Sequence, residues 1–140
     1  MAEYVANALQ TVESNQNVLF RDAFVSRNTT ITHRTGSGII TLRGLTNQYR
    51  AKFQITFGAN IAIPEGGTVE PISIAIAIEG EAVPYSEMIV TPTVAEAFWN
   101  VNRSIYIDIP CGCCVQIGIK NTSDQAIDVQ NANLIIDRVA

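Results

Sequence analysis

The strongest pattern in this chain is the alternation of apolar and polar residues from Ile105 to Val139. It runs in three blocks separated by turn-forming residues, and a period of two is typical of strands with one buried face. The apolar positions of the blocks are Ile105, Ile107 and Ile109, then Val115, Ile117 and Ile119, and finally Ala132, Leu134 and Ile136. We therefore predict three consecutive antiparallel strands, a meander whose last strand runs almost to the C-terminus.

The same alternation occurs further upstream. It runs from Gln48 to Phe57 and again from Ile72 to Ile78, where the second face carries only Ser73, Ala75 and Ala77. Further strands are predicted at 39–42, 88–94 and 98–109. Turns recur about every eight to twelve residues and no internal helix is indicated. The pattern predicts an all-β protein, an antiparallel jelly-roll β-sandwich of about eight to ten strands.

The N-terminal residues 1–16 are separated from the jelly-roll domain, which we place at 17–140. Their apolar residues fit either a helical stripe or a short extended arm. We interpret this segment as an irregular arm that contacts a neighbouring molecule. The side chains expected to attach it to a particle are those of Tyr4, Val5, Leu9 and Val12.

The composition limits which partners the chain can bind. Charged residues make up 16% of it, against about 25% in ordinary soluble domains, so part of the surface is expected to be covered by copies of itself or by a partner. A net charge of −4 without a basic run disfavours nucleic acid. No apolar run approaches the roughly 20 residues of a membrane span, and no secretory signal is visible. We expect synthesis in the cytoplasm of a host cell.

Three segments carry a resemblance to a known family. They read NQYRAKFQITFGANI, ISIAIAIEGEAVP and IDIPCGCCVQIGIKNTSDQAIDVQNANLIIDRV. Together they resemble the C1q/TNF-like jelly roll, and they are similar to the C-terminal domain of bacterial collagen-like spore-surface proteins. The positions that match the latter are Gly112, Asn121, Thr122, Leu134, Ile135 and Ile136. The resemblance covers residues 17–139 and implies a homotrimer.

The chain departs from the spore-surface pattern because it has no Gly-X-Y stalk. In this respect it resembles small bacteriophage capsid decoration and head fibre proteins. The resemblance implies a non-enzymatic structural protein on the virion surface, attached through its N-terminal arm to the major capsid protein or another virion protein. The alternative is a trimeric module of a bacterial surface or spore coat that recognises a glycan or a protein. A host surface glycan is a further candidate partner.

Four residues are candidates for the trimer seam. Trp99 and Tyr106 are chosen because aromatic side chains are enriched at interfaces, and Ala75 and Ala77 because a small-residue face permits close approach of another layer. Core packing and sugar binding are the alternatives for the two aromatic residues.

The cluster of Cys111, Cys113 and Cys114 is the sharpest local oddity in the sequence. Three chains meeting on an axis would be needed to complete a zinc site from these thiols. An interchain disulfide is a second interpretation, and small residues beside a hairpin turn at Gly112 are a third. The single histidine, His33, has no second histidine with which to bind a metal. We expect no catalytic residue, no metal and no cofactor.

Overall fold

The computed structural model describes residues 2–25, 31–33, 36–43, 50–110 and 114–139. Within these residues it contains twelve strands, a 3₁₀ turn at Pro84–Ser86 and no α-helix. The strands are β1 (Ala2–Ala6), β2 (Gln10–Val12), β3 (Asp22–Val25), β4 (Ile31–His33), β5 (Ile40–Arg43), β6 (Arg50–Ala62), β7 (Ile72–Ile78), β8 (Glu81–Ala82), β9 (Met88–Val90), β10 (Trp99–Pro110), β11 (Cys114–Asn121) and β12 (Ile127–Arg138). The predicted all-β class is confirmed. The strands outnumber the predicted eight to ten because the margins are divided into pieces of two to five residues. None of the described helical residues forms a segment long and apolar enough to cross a membrane.

The strands form two antiparallel sheets that pack face to face. Sheet I has the order β10-β6-β12-β1-β3, with β2 also paired to β12. Sheet II has the order β4-β5-β11-β7-β8, with β9 also paired to β7. The paired strands of sheet I are all non-consecutive in the chain. In sheet II β4-β5 and β7-β8 are consecutive and the other pairs are not, as in a jelly roll.

One hydrophobic core lies between the sheets. In β6 the inward side chains of Phe53, Ile55 and Phe57 are fully buried, while Lys52 lies exposed on the other face. In β7, Ile74 is equally buried. Burying one such apolar side chain stabilises the fold by about 1.5–3 kcal/mol. The alternation of apolar and polar residues in the sequence therefore arises because one face of these strands packs into this core.

The predicted C-terminal meander is wrong. Strand β10 pairs with β6 in sheet I, β11 lies between β5 and β7 in sheet II, and β12 returns to sheet I between β6 and β1. The chain therefore crosses the sandwich between each pair of consecutive strands. Alternation reports that one face of a strand is buried, and it does not identify the neighbouring strand. The last strand is central in its sheet.

The predicted irregular N-terminal arm is also wrong for the residues that form strands. Strand β1 pairs with β12 on one side and β3 on the other, and β2 pairs with β12. Ala2, Tyr4 and Ala6 are buried members of the core. Five residues of alternation are too few to distinguish a strand from a helix or an arm by sequence alone, and only tertiary pairing decides the matter.

Candidate functional site

The margin of the sandwich formed by the 3₁₀ turn, β9 and β10 exposes large apolar side chains. Tyr85 is 65% exposed, Ile89 64%, Tyr106 59%, Trp99 50% and Phe98 41%. We call these five residues the aromatic edge. Aromatic side chains are enriched at protein interfaces, so these exposed residues are candidates for contact with a partner.

Hydrogen bonds hold this margin in place. The Arg103 guanidinium donates through Nη2 to the Glu87 carbonyl at 3.2 Å, which links β10 to the residue before β9. The Ser86 hydroxyl is fully buried. Its Oγ accepts the Ile76 N–H at 3.0 Å and lies 2.7 Å from the Val83 carbonyl, to which it donates. Because Ser86 is fixed inward, the preceding Tyr85 is held toward solvent.

The outer face of sheet I carries uncharged polar side chains along the middle of β6 and β10, with Lys52 and Asp108 exposed toward one end of this strand pair. Asn100 Nδ2 donates to Asn60 Oδ1 at 3.2 Å, and Asn60 Nδ2 donates to Asn131 Oδ1 at 3.4 Å. Asn102 Nδ2 donates to Asn100 Oδ1 at 3.4 Å. We call these four residues the amide ladder. A few residues along the same two strands, Ser104 lies 3.0 Å from the Thr56 hydroxyl and accepts from Gln54 at 3.1 Å.

The four residues predicted for a trimer seam do not lie together. Trp99 and Tyr106 belong to the aromatic edge, so core packing is excluded for Tyr106 and incomplete for Trp99. Ala75 and Ala77 lie in β7 of sheet II and are 0% and 2% exposed. Neither alanine is available to a second chain in this fold. Small residues on the outer face of β7 were a misleading signal, because neighbouring parts of the same chain cover them.

The four residues predicted for particle attachment are similarly divided. Tyr4, Val5 and Val12 are buried, whereas Leu9, between β1 and β2, is 54% exposed. The Tyr4 ring lies 4.7 Å from the His33 ring between their centroids, and burial raises the pKa of the Tyr4 hydroxyl. Of these four side chains, only that of Leu9 can reach a partner without unfolding the strand that carries it.

The cysteine cluster lies mostly outside the described residues, since Cys111 and Cys113 are not among them. Cys114 is a free, exposed thiol opposite Arg43. Strands β10 and β11 do not pair with each other, so the hairpin interpretation is wrong. His33 Nε2 lies 2.7 Å from the Ser37 carbonyl. In the described part of the chain, no three His, Cys, Asp or Glu side chains meet in a group that could hold a metal ion.

Comparison with solved structures finds chains that match this one over most of its length. The globular domain of zebrafish complement 1qA protein superposes with a TM-score of 0.64 at 11% identity, over 96% of this chain and 94% of that one. This likeness shows a C1q-like jelly-roll fold. A latent PorU from Porphyromonas gingivalis matches with a TM-score of 0.48 and 9% identity, over 99% of this chain and 13% of its own. The EclA C-terminal domain, a sugar-binding protein, matches at 0.42 and 13%, over 94% and 80%.

Sequence comparisons add nothing to the structural likeness. No protein-family model matches the chain, and no curated protein matches it. The fold could be predicted from alternation and motif resemblance. The aromatic edge could be predicted only in part, because Tyr85, Ile89 and Phe98 occupy positions where the sequence alone does not reveal exposure.

Proposed function

We propose that this chain is a non-enzymatic structural module that associates with itself as a homotrimer through the aromatic edge. The single observation that carries the proposal is the exposure of five large apolar side chains along one margin of a domain with few charges. Trp, Tyr and Phe are enriched at the centres of protein interfaces. No comparable concentration of exposed aromatic side chains occurs elsewhere among the described residues.

The geometry of the edge favours a ring of copies. The outer face of sheet I lies beside the aromatic edge and carries uncharged amide and hydroxyl side chains in its middle. Packing the edge of one copy on the outer face of the next is a heterologous contact, and such contacts close into rings when the rotation permits. A ring of three satisfies every edge with one face and leaves no edge exposed.

The area of a stable interface requires both the aromatic edge and the outer face of sheet I. An aromatic side chain offers about 150–250 Å², so the four aromatic residues, each about half exposed, supply roughly 400 Å² per edge. A stable interface buries about 800 Å² on each partner. The aromatic edge therefore needs the amide ladder and its neighbours as part of the contact surface. Neutral amides suit this position because they carry no charge whose desolvation must be offset.

We place the trimer on a bacteriophage particle, as a capsid decoration or head fibre protein bound to the major capsid protein or another virion protein. The resemblance of the chain to small phage proteins of this kind supports this placement. Leu9 is the exposed candidate for the attachment contact. A trimeric module of a bacterial surface or spore coat that recognises a glycan is the second candidate, and the abundance of uncharged amides on both outer faces favours it.

Sedimentation velocity tests the trimer. The wild-type chain is expected to sediment at three times its mass of 15.2 kDa. The double variant Trp99→Ser, Tyr106→Ser is expected to shift toward the monomer, and Leu19→Ser, which removes an exposed apolar side chain on the other side of the sandwich, is expected to remain trimeric. A monomeric wild type, or a double variant as trimeric as the control, would contradict the proposal.

Location tests the virion role separately. Phage particles released from the strain that encodes the chain are purified on a density gradient and labelled with antibody to the protein. We expect label on intact particles. Label confined to the cell envelope or the spore coat, with particles unlabelled, would replace the phage assignment by the second candidate while leaving the trimer intact.

A further inference from the structure

The outer face of sheet II is indented where residues 15–19 approach β5 and β11. Residues 15–18 run beside the end of β11: Val18 N–H donates to the Ile119 carbonyl at 2.8 Å, and Asn15 N–H to the Asn121 carbonyl at 2.9 Å. The Asn17 side chain lies over two glycines and donates to the Gly38 carbonyl at 3.3 Å. A Cβ on Gly118 would lie 2.7 Å from the Gly38 oxygen. Glycine at these two positions leaves room for the Asn17 side chain, which lines the first depression.

Three depressions meet around Ile39, which is 45% exposed. Their volumes are about 400, 200 and 500 Å³. The first is bounded by residues 15–19 and Gly80, the second by the end of β7 and Gln116, and the third by β4 and Thr41. We call this continuous surface the sheet II groove. The first and third volumes each lie within the range of small-molecule sites, about 300–1,000 Å³.

The polar lining of the groove consists mainly of amides and hydroxyls. Asn15, Gln16, Thr32, Thr41 and Gln116 each line it, and none of their side chains hydrogen-bonds to another described residue. Each amide can donate and accept, and each hydroxyl can do both with one oxygen. The groove therefore presents several adaptable hydrogen-bonding groups that no other described residue engages.

The two charges in the groove are already engaged. Lys120 Nζ donates to the Gly80 carbonyl at 3.1 Å, and Glu79 Oε1 accepts the Gln116 N–H at 2.8 Å. One ammonium and one carboxylate also leave the lining without net charge. An ionic ligand would find no uncommitted counter-charge here, and an aromatic or purely apolar ligand would find no aromatic side chain among the residues of the first two depressions.

We propose that the sheet II groove binds a neutral oligosaccharide. Sugar hydroxyls both donate and accept hydrogen bonds, which matches amides and hydroxyls better than any ionic or apolar ligand does. Ile39 offers an apolar ridge for the carbon-bound face of a sugar ring, with a depression on either side for the adjoining rings. An extended peptide would instead seek the unpaired edge of a strand, and this groove lies on a sheet face.

The groove is independent of the proposed trimer contact. It lies on the outer face of sheet II, opposite the face and margin that we assign to self-association, so ring closure leaves it open to solvent. The inference deepens the second candidate function and rests on it only for its biological setting. Each such trimer on a phage particle would display three grooves, one on each chain.

An array of immobilised neutral and sialylated oligosaccharides, probed with the full chain, tests the inference. We expect retention on at least one neutral oligosaccharide, competed by the same compound free in solution. Ile39→Trp, which fills the centre of the groove, is expected to lower the retained signal at least tenfold, and Gln116→Ala severalfold. The control Val69→Trp, at an exposed position between β6 and β7 that belongs neither to the groove nor to the aromatic edge, is expected to retain the wild-type signal.

Three outcomes would overturn the inference: no retention on any neutral oligosaccharide, retention confined to sialylated ones, or equal loss in Ile39→Trp and Val69→Trp. Sedimentation of the same samples separates this result from the fate of the trimer. If the chain is a monomer and binds glycan through the groove, the inference about the groove stands and the trimer is contradicted. If the chain is a trimer and retains no glycan, the trimer stands and the inference about the groove is contradicted.

Discussion

The two outer faces of the sandwich differ although both cover the same core. The outer face of sheet I carries amide and hydroxyl side chains that hydrogen-bond to one another across strands. The outer face of sheet II has glycine at positions 38 and 118, with the Asn17 side chain laid across them. The difference teaches that a polar outer position in an alternating strand can supply either a contact surface or the floor of a groove. The residue's size decides which.

The largest expected effect comes from two glycine substitutions, one on each face. In Gly118→Ala the new Cβ would lie 2.7 Å from a backbone oxygen, and in Gly58→Ala the nearest atom lies at 3.7 Å. We expect Gly118→Ala to lower the free energy of unfolding by about 2–3 kcal/mol, because the segment that carries Asn17 must move. Gly58→Ala should change it by less than about 1 kcal/mol.

Urea denaturation followed by circular dichroism measures both variants. Equal destabilisation by the two alanines would show that the space above Gly118 in sheet II is no more tightly packed than the space above Gly58 in sheet I. That result would remove the structural basis for the groove.

A second comparison separates an amide that supports the fold from one that supports the surface. Asn121 is fully buried, and its Nδ2 donates to the Val12 and Gln125 carbonyls at 2.9 Å each. Asn121→Ala leaves these buried carbonyls unpaired and should cost about 2 kcal/mol of unfolding free energy. Asn100→Ala, in the exposed amide ladder, should cost under about 0.5 kcal/mol while weakening self-association.

Denaturation of the two variants at a concentration where the chain is monomeric, together with sedimentation at higher concentration, checks this prediction. If Asn100→Ala destabilised the monomer as much as Asn121→Ala, the ladder would belong to the fold and would have no separate role in contact.

A smaller effect concerns alkaline pH. Burial raises the pKa of Tyr4 above its ordinary value of about 10. The folded chain therefore holds the neutral phenol more tightly than the unfolded chain does. This contribution is fully present below pH 10, and it is lost as the pH rises through the folded pKa. We expect the stability of the wild type to fall more steeply above pH 10 than that of Tyr4→Phe, as followed by urea denaturation across that range. Parallel pH profiles would contradict the assignment.

Much of the fold follows from the sequence for a physical reason. Period-two burial in β6, β10 and β12 is imposed by the core, so these strands could be predicted. Strand β7 is buried on both faces, and only its alternation of residue types predicts it. The partners of these strands could not be predicted, because a buried face looks the same beside any neighbour, and this is why the meander was wrong. The exposed side chains of Trp99 and Tyr106 were predicted as contacts, whereas Ala75 and Ala77 were assigned to the same seam without knowledge that the chain covers its own β7.

The groove could not be predicted from the sequence at all. Asn17, Gly38, Ile39 and Gly118 come from three distant segments, and their juxtaposition depends on where residues 15–18 join the end of β11. Each residue alone has an ordinary interpretation, as a turn residue or an outward strand position. Only the close approach of the two glycines to Asn17 gives them a shared consequence.

The burial of Trp99 in the assembled protein is the most direct test of self-association through the aromatic edge. It is the single tryptophan of the chain, so its fluorescence reports the aromatic edge and nothing else. If the edge packs on a second copy, acrylamide should quench Trp99 weakly at high protein concentration. Quenching should become strong on dilution, over the same concentration range in which sedimentation shows the trimer dissociating. A trimer in which Trp99 is quenched as readily as in the monomer would contradict the account.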